Sequence, residues 1–364
     1  PYATGFVFTY DCGEFEENMK AAAKLADYAG FEQRRREAAG RGRLRGLGLA
    51  NPIEVAAGPF IRPAKDTAWL KVGSDGSVTL RIGSVSTGQG HETPLVQLVA
   101  DRLGVAPDRI VYKSGDTDDL SAGRGNGGSS AMAVGGTATV AVVDKVIATA
   151  RTYAADILEA SAGDIAFENG RFTIVGTDRS TTLIDVARRA EQRRAEGLAE
   201  TGEYQPVQVT FPNGCHMCEL EIDPDTGTVE IVRYSVVEDI GRVLNAQLAH
   251  GQMHGGIAMG VGQALGEQIT YEADTGQLLT ASFMDYVMPR ADDLPDLVIR
   301  TREVPTKANP LGVKGVGEAG TVGSLVATIN AVCDALKPLG IQHFEMPATP
   351  HRVWEAIQAA KVSG

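Results

Sequence analysis

The chain has 364 residues, 43% hydrophobic and 22% charged, which is usual for a globular protein with room for two or three domains. Its net charge of −12 argues against nucleic-acid binding, which favours a basic surface. No run of about 20 apolar residues and no secretory signal is visible, and four cysteines indicate a reducing compartment, so we expect a cytoplasmic protein without a membrane span. Glycine is in excess, 43 residues or about 12% against a usual ~7%, which predicts many tight turns and close backbone contacts.

In the first half of the chain, apolar periodicity and turn residues predict alternating helices and hairpins. Residues 14–40 carry an apolar stripe at three- and four-residue spacing, which predicts one helix, and the glycines that follow should end it. A hairpin is predicted over 67–82, with its turn at Asp75-Gly76. The later elements are a helix that ends near Gly104, a strand at Ile110–Lys113, a glycine-rich loop at Ser121–Ser130, an Ala/Val helix to about Leu158, a hairpin turning at Asn169-Gly170, a helix over 181–194 and a polar linker over 194–205.

The second half opens with two predicted strands, "CHMCELEID" and "TVEIVRYSVVEDIG", joined by a turn at Asp225-Thr226-Gly227. A glycine-punctuated helix, "AHGQMHGGIAMGVGQAL", follows. A short strand, Leu297–Arg302, then precedes the stretch "NPLGVKGVGEAG" and the helix "SLVATINAVCDAL". Together the two halves predict an α+β fold with mixed sheets and separate helices.

Three glycine-rich loops lead into helices: Thr87–His91, Gly125–Ser130 and Gly312–Gly320. Such junctions expose backbone N–H groups at the positive end of a helix, which favours an anionic ligand. One such loop is weak evidence because most are plain turns, but three in a glycine-rich chain favour a large, polar, anionic ligand. None of the three matches a nucleotide phosphate loop or the dinucleotide-binding fingerprint.

Several stretches, in this order, resemble the C-terminal half of the molybdenum-binding subunit of the xanthine oxidase family of molybdenum hydroxylases. They are "TGQGHETPLVQLVADRLG", "GNGGSSAMAVGGTAT", "HMCELEIDPDTGTVEIVRYSVVEDIGRVLNAQLAHGQMHGGIAMGVGQAL", "SFMDYVMPRADDLP", "NPLGVKGVGEAGT" and "MPATPHRVW". The texture of "LADYAGFEQRRREAAGRGRLRGLGLA" is most similar to the carbon monoxide dehydrogenase-like branch. The resemblance implies a molybdenum-cofactor-binding fold of the xanthine oxidase type, with the cofactor held by glycine-rich loops at helix starts.

By this resemblance, Glu318 matches the active-site glutamate, a proton acceptor in substrate hydroxylation. The residues that it implies in cofactor binding are Gly88, Gln89, Gly90, His91, Gly128, Ser129, Ser130, Asp239, Gln252, Lys314, Gly315, Val316 and Gly317. Two alternatives stay open. Glu318 could be a first-turn carboxylate that complements a helix dipole, and Asp239, with Asn245, could serve a turn and a helix cap.

The resemblance also implies cofactors and partners. The cofactor is expected to be molybdenum with molybdopterin cytosine dinucleotide, the metal being held through the pterin dithiolene rather than by protein ligands. The expected partners are the N-terminal half of the molybdenum subunit, a [2Fe–2S] subunit and an FAD subunit, in a dimer of heteromers. Residues 1–65 would complete a preceding domain, 66–205 would form the first half of the cofactor-binding domain, and 206–364 the second half.

The implied reaction is oxidation of a small N-heteroaromatic, aldehyde or CO-like substrate, with water as the oxygen source. A noncatalytic cofactor-binding or scaffold homologue is the alternative. A third interpretation, a nicotinamide dehydrogenase, is not supported, because the sequence lacks the dinucleotide-binding fingerprint of those enzymes. Two features that could suggest metal ligands are interpreted as structural. Cys215 and Cys218 have C-x-x-C spacing without a second pair, and His250 and His254 lack a third ligand nearby.

Overall fold

The structure, a computed structural model, describes residues 1–58, 64–120 and 122–363. Ser121, which opens the predicted second glycine loop, lies outside the described residues. The strands are β1 (Tyr2–Ala3), β2 (Thr9–Tyr10), β3 (Leu44–Ala50), β4 (Asp66–Val72), β5 (Val78–Ile82), β6 (Ile110–Ser114), β7 (Ile165–Glu168), β8 (Arg171–Ile174), β9 (Ser180–Thr182), β10 (Leu198–Tyr204), β11 (Asn213–Ile222), β12 (Val229–Asp239) and β13 (Leu297–Arg302). The helices are α1 (Phe15–Leu25), α2 (Phe31–Gly40), α3 (Glu92–Leu103), α4 (Thr137–Leu158), α5 (Leu183–Arg193), α6 (Ala246–Leu265), α7 (Ala319–Leu336) and α8 (Pro350–Ser363).

The chain divides into two compact units. Unit 1 contains residues 1–54, 211–305 and 316–364, and unit 2 contains residues 55–210 and 306–315. Mixed parallel and antiparallel sheets with packed helices confirm the α+β class. The three segments predicted from the sequence, 1–65, 66–205 and 206–364, describe relations to a longer protein and stay a prediction.

Unit 2 is built on a four-stranded sheet in the order β10-β4-β5-β6. β4 and β5 form the predicted hairpin, in which Ala68 lies opposite Ile82, and β6 runs parallel to β5. The apolar side of this sheet shares one hydrophobic core with α3, α4 and α5, which includes Leu70, Leu80 and Val142. Because β5 is followed by α3 at the end where β6 also stops, the loop after β5 lies at one defined edge of the sheet.

Unit 1 is built on a second four-stranded sheet, in the order β13-β12-β11-β3. Every residue of its strand β11 is buried, because α7 covers one face and α1 the other. Side chains alternate along a strand, so Cys215 and Met217 pack with α1 while Cys218 and Leu220 pack in the core beside α7. Burial raises the pKa of both cysteines to about 12, which keeps them as neutral thiols and fits their structural interpretation.

Glycine lets α7 approach its neighbours more closely than any side chain would allow. A Cβ atom on Gly48 of β3 would lie 1.9 Å from the carbonyl oxygen of Ala327 in α7. On the other side of the helix, a Cβ atom on Gly320 would lie 2.6 Å from the carbonyl oxygen of Met253 in α6. Real Cβ atoms are not found this close to carbonyl oxygens, so these positions accept only glycine without a shift of the helix.

Arginines in α2 and β3 form a largely buried ion-pair network rather than a solvated surface. Arg34 donates to both carboxylate oxygens of Glu219 in β11 at 2.9 Å. Arg45 donates to Glu219 at 2.6 Å and to Glu221 at 2.7 Å. The arginine-rich stretch is therefore not a solvated helix end, because its acidic partners lie in a strand about 180 residues later in the chain.

Three predicted elements differ in the structure. The single helix over 14–40 is broken, because Asp27 adopts a left-handed backbone conformation with φ 49°. The glycine stretch after it contains β3, which pairs with β11, Gly48 lying opposite Cys218. The polar linker predicted over 194–205 is wrong, since β10 occupies most of it and pairs with β4.

Two helical segments of the described residues, Ala131–Leu158 and Ala319–Leu339, are long and apolar enough to cross a membrane by length and composition alone. Each contributes to the core of its own unit, with 61% and 56% of its apolar window buried. Core helices of globular proteins commonly meet the same criteria. The absence of a membrane span stays a prediction.

We predict that Gly48→Ala destabilises unit 1 by about 3 kcal/mol, because its methyl group would overlap the backbone of α7. Urea unfolding followed by circular dichroism measures the change. Gly40→Ala is the matched control, since no atom lies within 4 Å of its added Cβ and alanine favours the helix there. Equal stability of Gly48→Ala and the parent protein would contradict the close-packing argument.

Candidate functional site

The first glycine loop, Thr87–His91, connects β5 to α3 within unit 2. Gly88 and Gly90 have φ values of 119° and 71°, and nothing lies within 4 Å of a Cβ placed on Gly88. The side chain of Gln89 folds back on the loop, since its Oε1 accepts from the N–H of Thr87 at 2.7 Å. His91, at the start of α3, is buried, and its Nδ1 has no hydrogen-bond partner among the residues that the structure describes. Burial lowers the pKa of His91, so its imidazole is neutral at pH 7.

The second glycine loop lies beside the first. The N–H of Val85 donates to the carbonyl of Gly125 at 3.1 Å, and the N–H of Gly125 donates to the carbonyl of Gly83 at 3.0 Å. Nearer the tips, the Asn126 amide donates to the Thr87 hydroxyl at 3.1 Å. The two loops therefore form one surface of unit 2.

Ser129 is strained within this second loop. It has φ 48°, a conformation that costs a non-glycine residue about 1 kcal/mol or more, and it follows Gly128 with φ 61°. Ser130, at the start of the next helical turn, is buried and donates its hydroxyl to the carbonyl of Gly127 at 2.6 Å. Backbone strain of this kind concentrates at ligand-binding loops.

The segment 306–315 belongs to unit 2 and meets the second loop. Asn309 holds its turn, since its Nδ2 donates to the carbonyl of Val313 at 2.9 Å. A Cβ on Gly315 would lie 2.5 Å from both the Cβ and the carbonyl oxygen of Ser129. Lys314, the residue before this contact, is only 3% exposed. Unit 2 thus brings three predicted segments together, through Gly88–His91, Gly128–Ser130 and Lys314–Gly315.

The remaining predicted residues belong to unit 1. Glu318 occupies the N-cap position of α7, but its side chain makes no capping hydrogen bond and is exposed. Its place at the start of α7 leaves the alternative of a carboxylate that complements the helix dipole open. Gln252, on α6, precedes Met253, which contacts Gly320 near the start of α7, so Gln252 and Glu318 lie at the same end of the α6–α7 pair.

Asp239 and Asn245 make the structural contacts of the alternative interpretation. Asp239 is fully buried and accepts from the N–H groups of Gly241 at 3.0 Å and Val304 at 3.1 Å. Asn245 caps α6, since its Oδ1 accepts from the N–H of Leu248 at 3.0 Å. Both residues organise the turn that leads into α6, and their contribution to nucleotide binding stays a prediction.

The histidine pair of α6 does not have the geometry of two metal ligands. The Nδ1 atom of His254 contacts the carbonyl of His250 at 2.7 Å, so its ring is bound to its own helix. Among the described ranges, no group of three or more His, Cys, Asp or Glu residues is placed to hold a metal ion.

Sequence reasoning missed the charged residues beneath the loops, Asp66 and Arg124. Arg124 is 7% exposed, and its Nε donates to the Ser130 hydroxyl at 2.7 Å. The sequence feature that could have identified Arg124 is its place as the lone cation in a glycine- and serine-rich loop. Asp66, in contrast, stands 58 residues before Arg124 with no local pattern to mark it.

Comparisons with known proteins give consistent matches. The family described as a molybdopterin cofactor-binding domain matches residues 21–295. The chain is 33% identical over 373 residues to the carbon monoxide dehydrogenase large chain of Hydrogenophaga pseudoflava, covering 98% of this chain and 46% of that protein. It is 35% identical over 369 residues to the nicotine 6-hydroxylase large subunit of Paenarthrobacter nicotinovorans, covering 96% and 45%.

Solved structures agree. A crystal structure of the Cu,Mo-CO dehydrogenase in its carbon monoxide reduced state superposes with a TM-score of 0.89 at 32% identity, covering 98% of this chain and 47% of that one. The chain therefore spans a little under half the length of the relatives that it matches.

We predict that Gly315→Ala loosens the second glycine loop, because the added methyl group would displace Ser129. Amide hydrogen exchange over residues 125–130 should accelerate roughly tenfold, as expected for about 1.4 kcal/mol of lost local stability. Gly163→Ala is the control in the same unit, where the nearest atom to the added Cβ is the Ser161 hydroxyl at 3.7 Å. Unchanged exchange in Gly315→Ala would mean that the third segment does not support the second loop.

Proposed function

Because this chain belongs to the family of molybdopterin cofactor-binding domains, we propose that it forms the cofactor-binding part of a molybdenum-dependent oxidoreductase. The observation that carries the proposal is the convergence, within unit 2, of three segments that were each identified as cofactor loops from sequence. The family match over residues 21–295 includes the first two of these loops.

The residues present fit such a cofactor. Positions Gly88, Gly125 and Gly127 leave open space where side chains would otherwise stand, which suits a bulky ligand lying against the backbone. Backbone N–H groups at the starts of helices attract phosphate, and the buried Nδ1 of His91, which makes no hydrogen bond within the described residues, is a further polar group at this loop. Gln89 would supply directional hydrogen bonds to the pterin, and Gly128, Ser129 and Ser130 would hold its pyrophosphate side.

When bound, molybdenum supplies two-electron redox chemistry to the site. The residues of this chain would orient the pterin, keep other groups from contacting it, and accept a proton. Glu318 would take up a proton at its carboxylate as oxygen from water is transferred to the substrate, and a positioned general base of this kind accounts for about 10²–10⁴ in rate. Its exposed side chain, which does not cap α7, is consistent with this role.

We further propose the cytosine dinucleotide form of molybdopterin, a small N-heteroaromatic, aldehyde or CO-like substrate, and a cytoplasmic location. The relatives are a carbon monoxide dehydrogenase large chain and a nicotine 6-hydroxylase large subunit, which supports the CO-like and N-heteroaromatic classes. The proposed partners are a polypeptide equivalent to the N-terminal half of the molybdenum subunit, a [2Fe–2S] subunit and an FAD subunit, in a dimer of heteromers. Names that include "large chain" and "large subunit" support further subunits.

We predict that Glu318→Gln lowers turnover by about 10²–10⁴-fold while molybdenum content stays close to that of the parent protein, because glutamine keeps the shape of the side chain but cannot accept the proton. Mass spectrometry of the purified complex measures the metal. Dye reduction with carbon monoxide, N-heteroaromatics and aldehydes measures turnover.

Glu345→Gln is the control, since this glutamate has a 79% exposed side chain elsewhere in unit 1 and should leave both measurements unchanged. Parallel loss of molybdenum and activity in Glu318→Gln would indicate a structural role instead. A molybdenum-loaded complex that shows no turnover with any substrate, and none to lose on cyanide treatment, would favour the noncatalytic alternative.

A further inference from the structure

A buried carboxylate lies directly beneath the first two glycine loops of unit 2. Asp66, the first residue of β4, is 0% exposed. Burying a carboxylate is costly unless hydrogen bonds compensate for lost water. Its Oδ1 accepts from the N–H of Thr67 at 2.9 Å and of Arg124 at 3.3 Å, and its Oδ2 accepts from the Ser84 hydroxyl.

Two of these donors belong to the bases of different loops. Ser84 stands two residues after β5 and three before Thr87, where the first loop begins, and Arg124 stands immediately before Gly125 in the second loop. One carboxylate group therefore fixes the starting points of both loops. Contacts between residues close in sequence could not connect the two loops in this way, because Ser84 and Arg124 are 40 residues apart.

The junction has no spare room. A Cβ on Gly83 would lie 2.3 Å from the Cα of Gly123, so the two backbones touch at this level. A Cβ on Gly135 would lie 2.6 Å from the Ser84 hydroxyl and 2.9 Å from Oδ2 of Asp66. Backbone contact sets the separation of the loops, while the directional bonds of Asp66 set their register.

The contacts continue into the second loop. Arg124 donates from Nε to the Ser130 hydroxyl at 2.7 Å, and that hydroxyl donates to the carbonyl of Gly127 at 2.6 Å. A chain of hydrogen bonds thus runs from Asp66 through Arg124 and Ser130 to the glycines. Buried networks of this kind hold one arrangement when every bond is made.

We propose that Asp66 is a positioning residue for the cofactor: through Ser84 and Arg124 it holds the two glycine loops in the register that binds the molybdopterin. The inference rests on the proposed function. Among the described residues, Asp66 makes its hydrogen bonds with Thr67, Ser84 and Arg124, and its effect reaches the ligand through the loops. Burial raises the pKa of Asp66, and the hydrogen bonds from Ser84, Thr67 and Arg124 oppose that rise by favouring the charged form.

The test uses Asp66→Asn in the protein purified from a host that makes the cofactor. Asparagine keeps the volume of aspartate but has no charge and only one acceptor oxygen, so it cannot accept from the Ser84 hydroxyl and from the N–H groups of Thr67 and Arg124 as the two carboxylate oxygens do. We expect at least a tenfold fall in molybdenum and pterin per folded chain. We also expect faster hydrogen exchange confined to residues 85–91 and 124–130 in the cofactor-free protein.

The matched control is Asp75→Asn. Asp75 accepts from the Ser77 hydroxyl at 2.6 Å and from its N–H at 2.9 Å, so it loses the same kinds of bond, but in an exposed hairpin turn of the same unit. Cofactor content should be unchanged there. Ser84→Ala provides a second route that leaves Asp66 intact, and its effect on cofactor content should not add to that of Asp66→Asn, because both break one contact.

The outcomes separate the two proposals. Molybdenum bound by the parent protein and bound equally by Asp66→Asn and Ser84→Ala would overturn the positioning role and leave the proposed function standing. A lower unfolding temperature in Asp66→Asn with undiminished cofactor in its folded fraction would overturn it too, since a structural residue alone behaves this way. No molybdopterin in the parent protein would overturn the proposed function itself.

Discussion

Contact between backbones, at distances that no side chain permits, is the constraint on which both units depend. In unit 1, Gly48 and Gly320 let α7 lie against β3 on one side and α6 on the other. In unit 2, Gly83 meets Gly123 beneath the loops, and Gly315 meets Ser129. The many glycines of the chain therefore serve two purposes, close helix packing and loop geometry. An added Cβ would disrupt either one, because atoms in a densely packed interior cannot move by the ångström or so that the Cβ would need.

Close packing also explains where the two kinds of glycine lie. Those facing a helix stand opposite carbonyl oxygens or small residues and leave no space. Those at the tips of the loops, such as Gly88 and Gly127, have nothing within 4 Å of an added Cβ. The first kind fixes the framework, and the second leaves an open surface where the cofactor is proposed to bind. The glycine content of the sequence alone does not show which glycines have which of these two roles.

Much of the fold followed from local pattern. The hairpin at Asp75-Gly76, the helix before Gly104 and the strand from Ile110 all depend on periodicity and turn residues, which neighbours in sequence determine. The family predicted from the order of the motifs is confirmed by the match over residues 21–295. Two of the three elements that differ from prediction share one cause. β3, with two glycines in seven residues, and β10, with a polar sequence, become strands because β11 and β4 pair with them.

The candidate site divides in the same way. Glycine loops before helices are visible in sequence, so Gly88, Gly128 and Gly315 could be named in advance. The residues that hold those loops could not, because Asp66 acts on Ser84 and Arg124 across 18 and 58 residues. Long-range hydrogen bonds leave no periodic trace. A buried charge beside a glycine-rich loop is the kind of signal that only a structure provides.

Chain connectivity constrains Glu318 more tightly than its exposure suggests. Three residues before it, Gly315 is fixed against Ser129, and two residues after it, Gly320 is fixed against Met253. A fully extended chain advances at most about 3.6 Å per residue, so the Cα of Glu318 lies within about 11 Å of the Cα of Gly315. The same bound holds for any motion that leaves the Gly315 contact intact. Glu318 can therefore be exposed and still be confined by its neighbours in sequence, as its proposed role of general base requires.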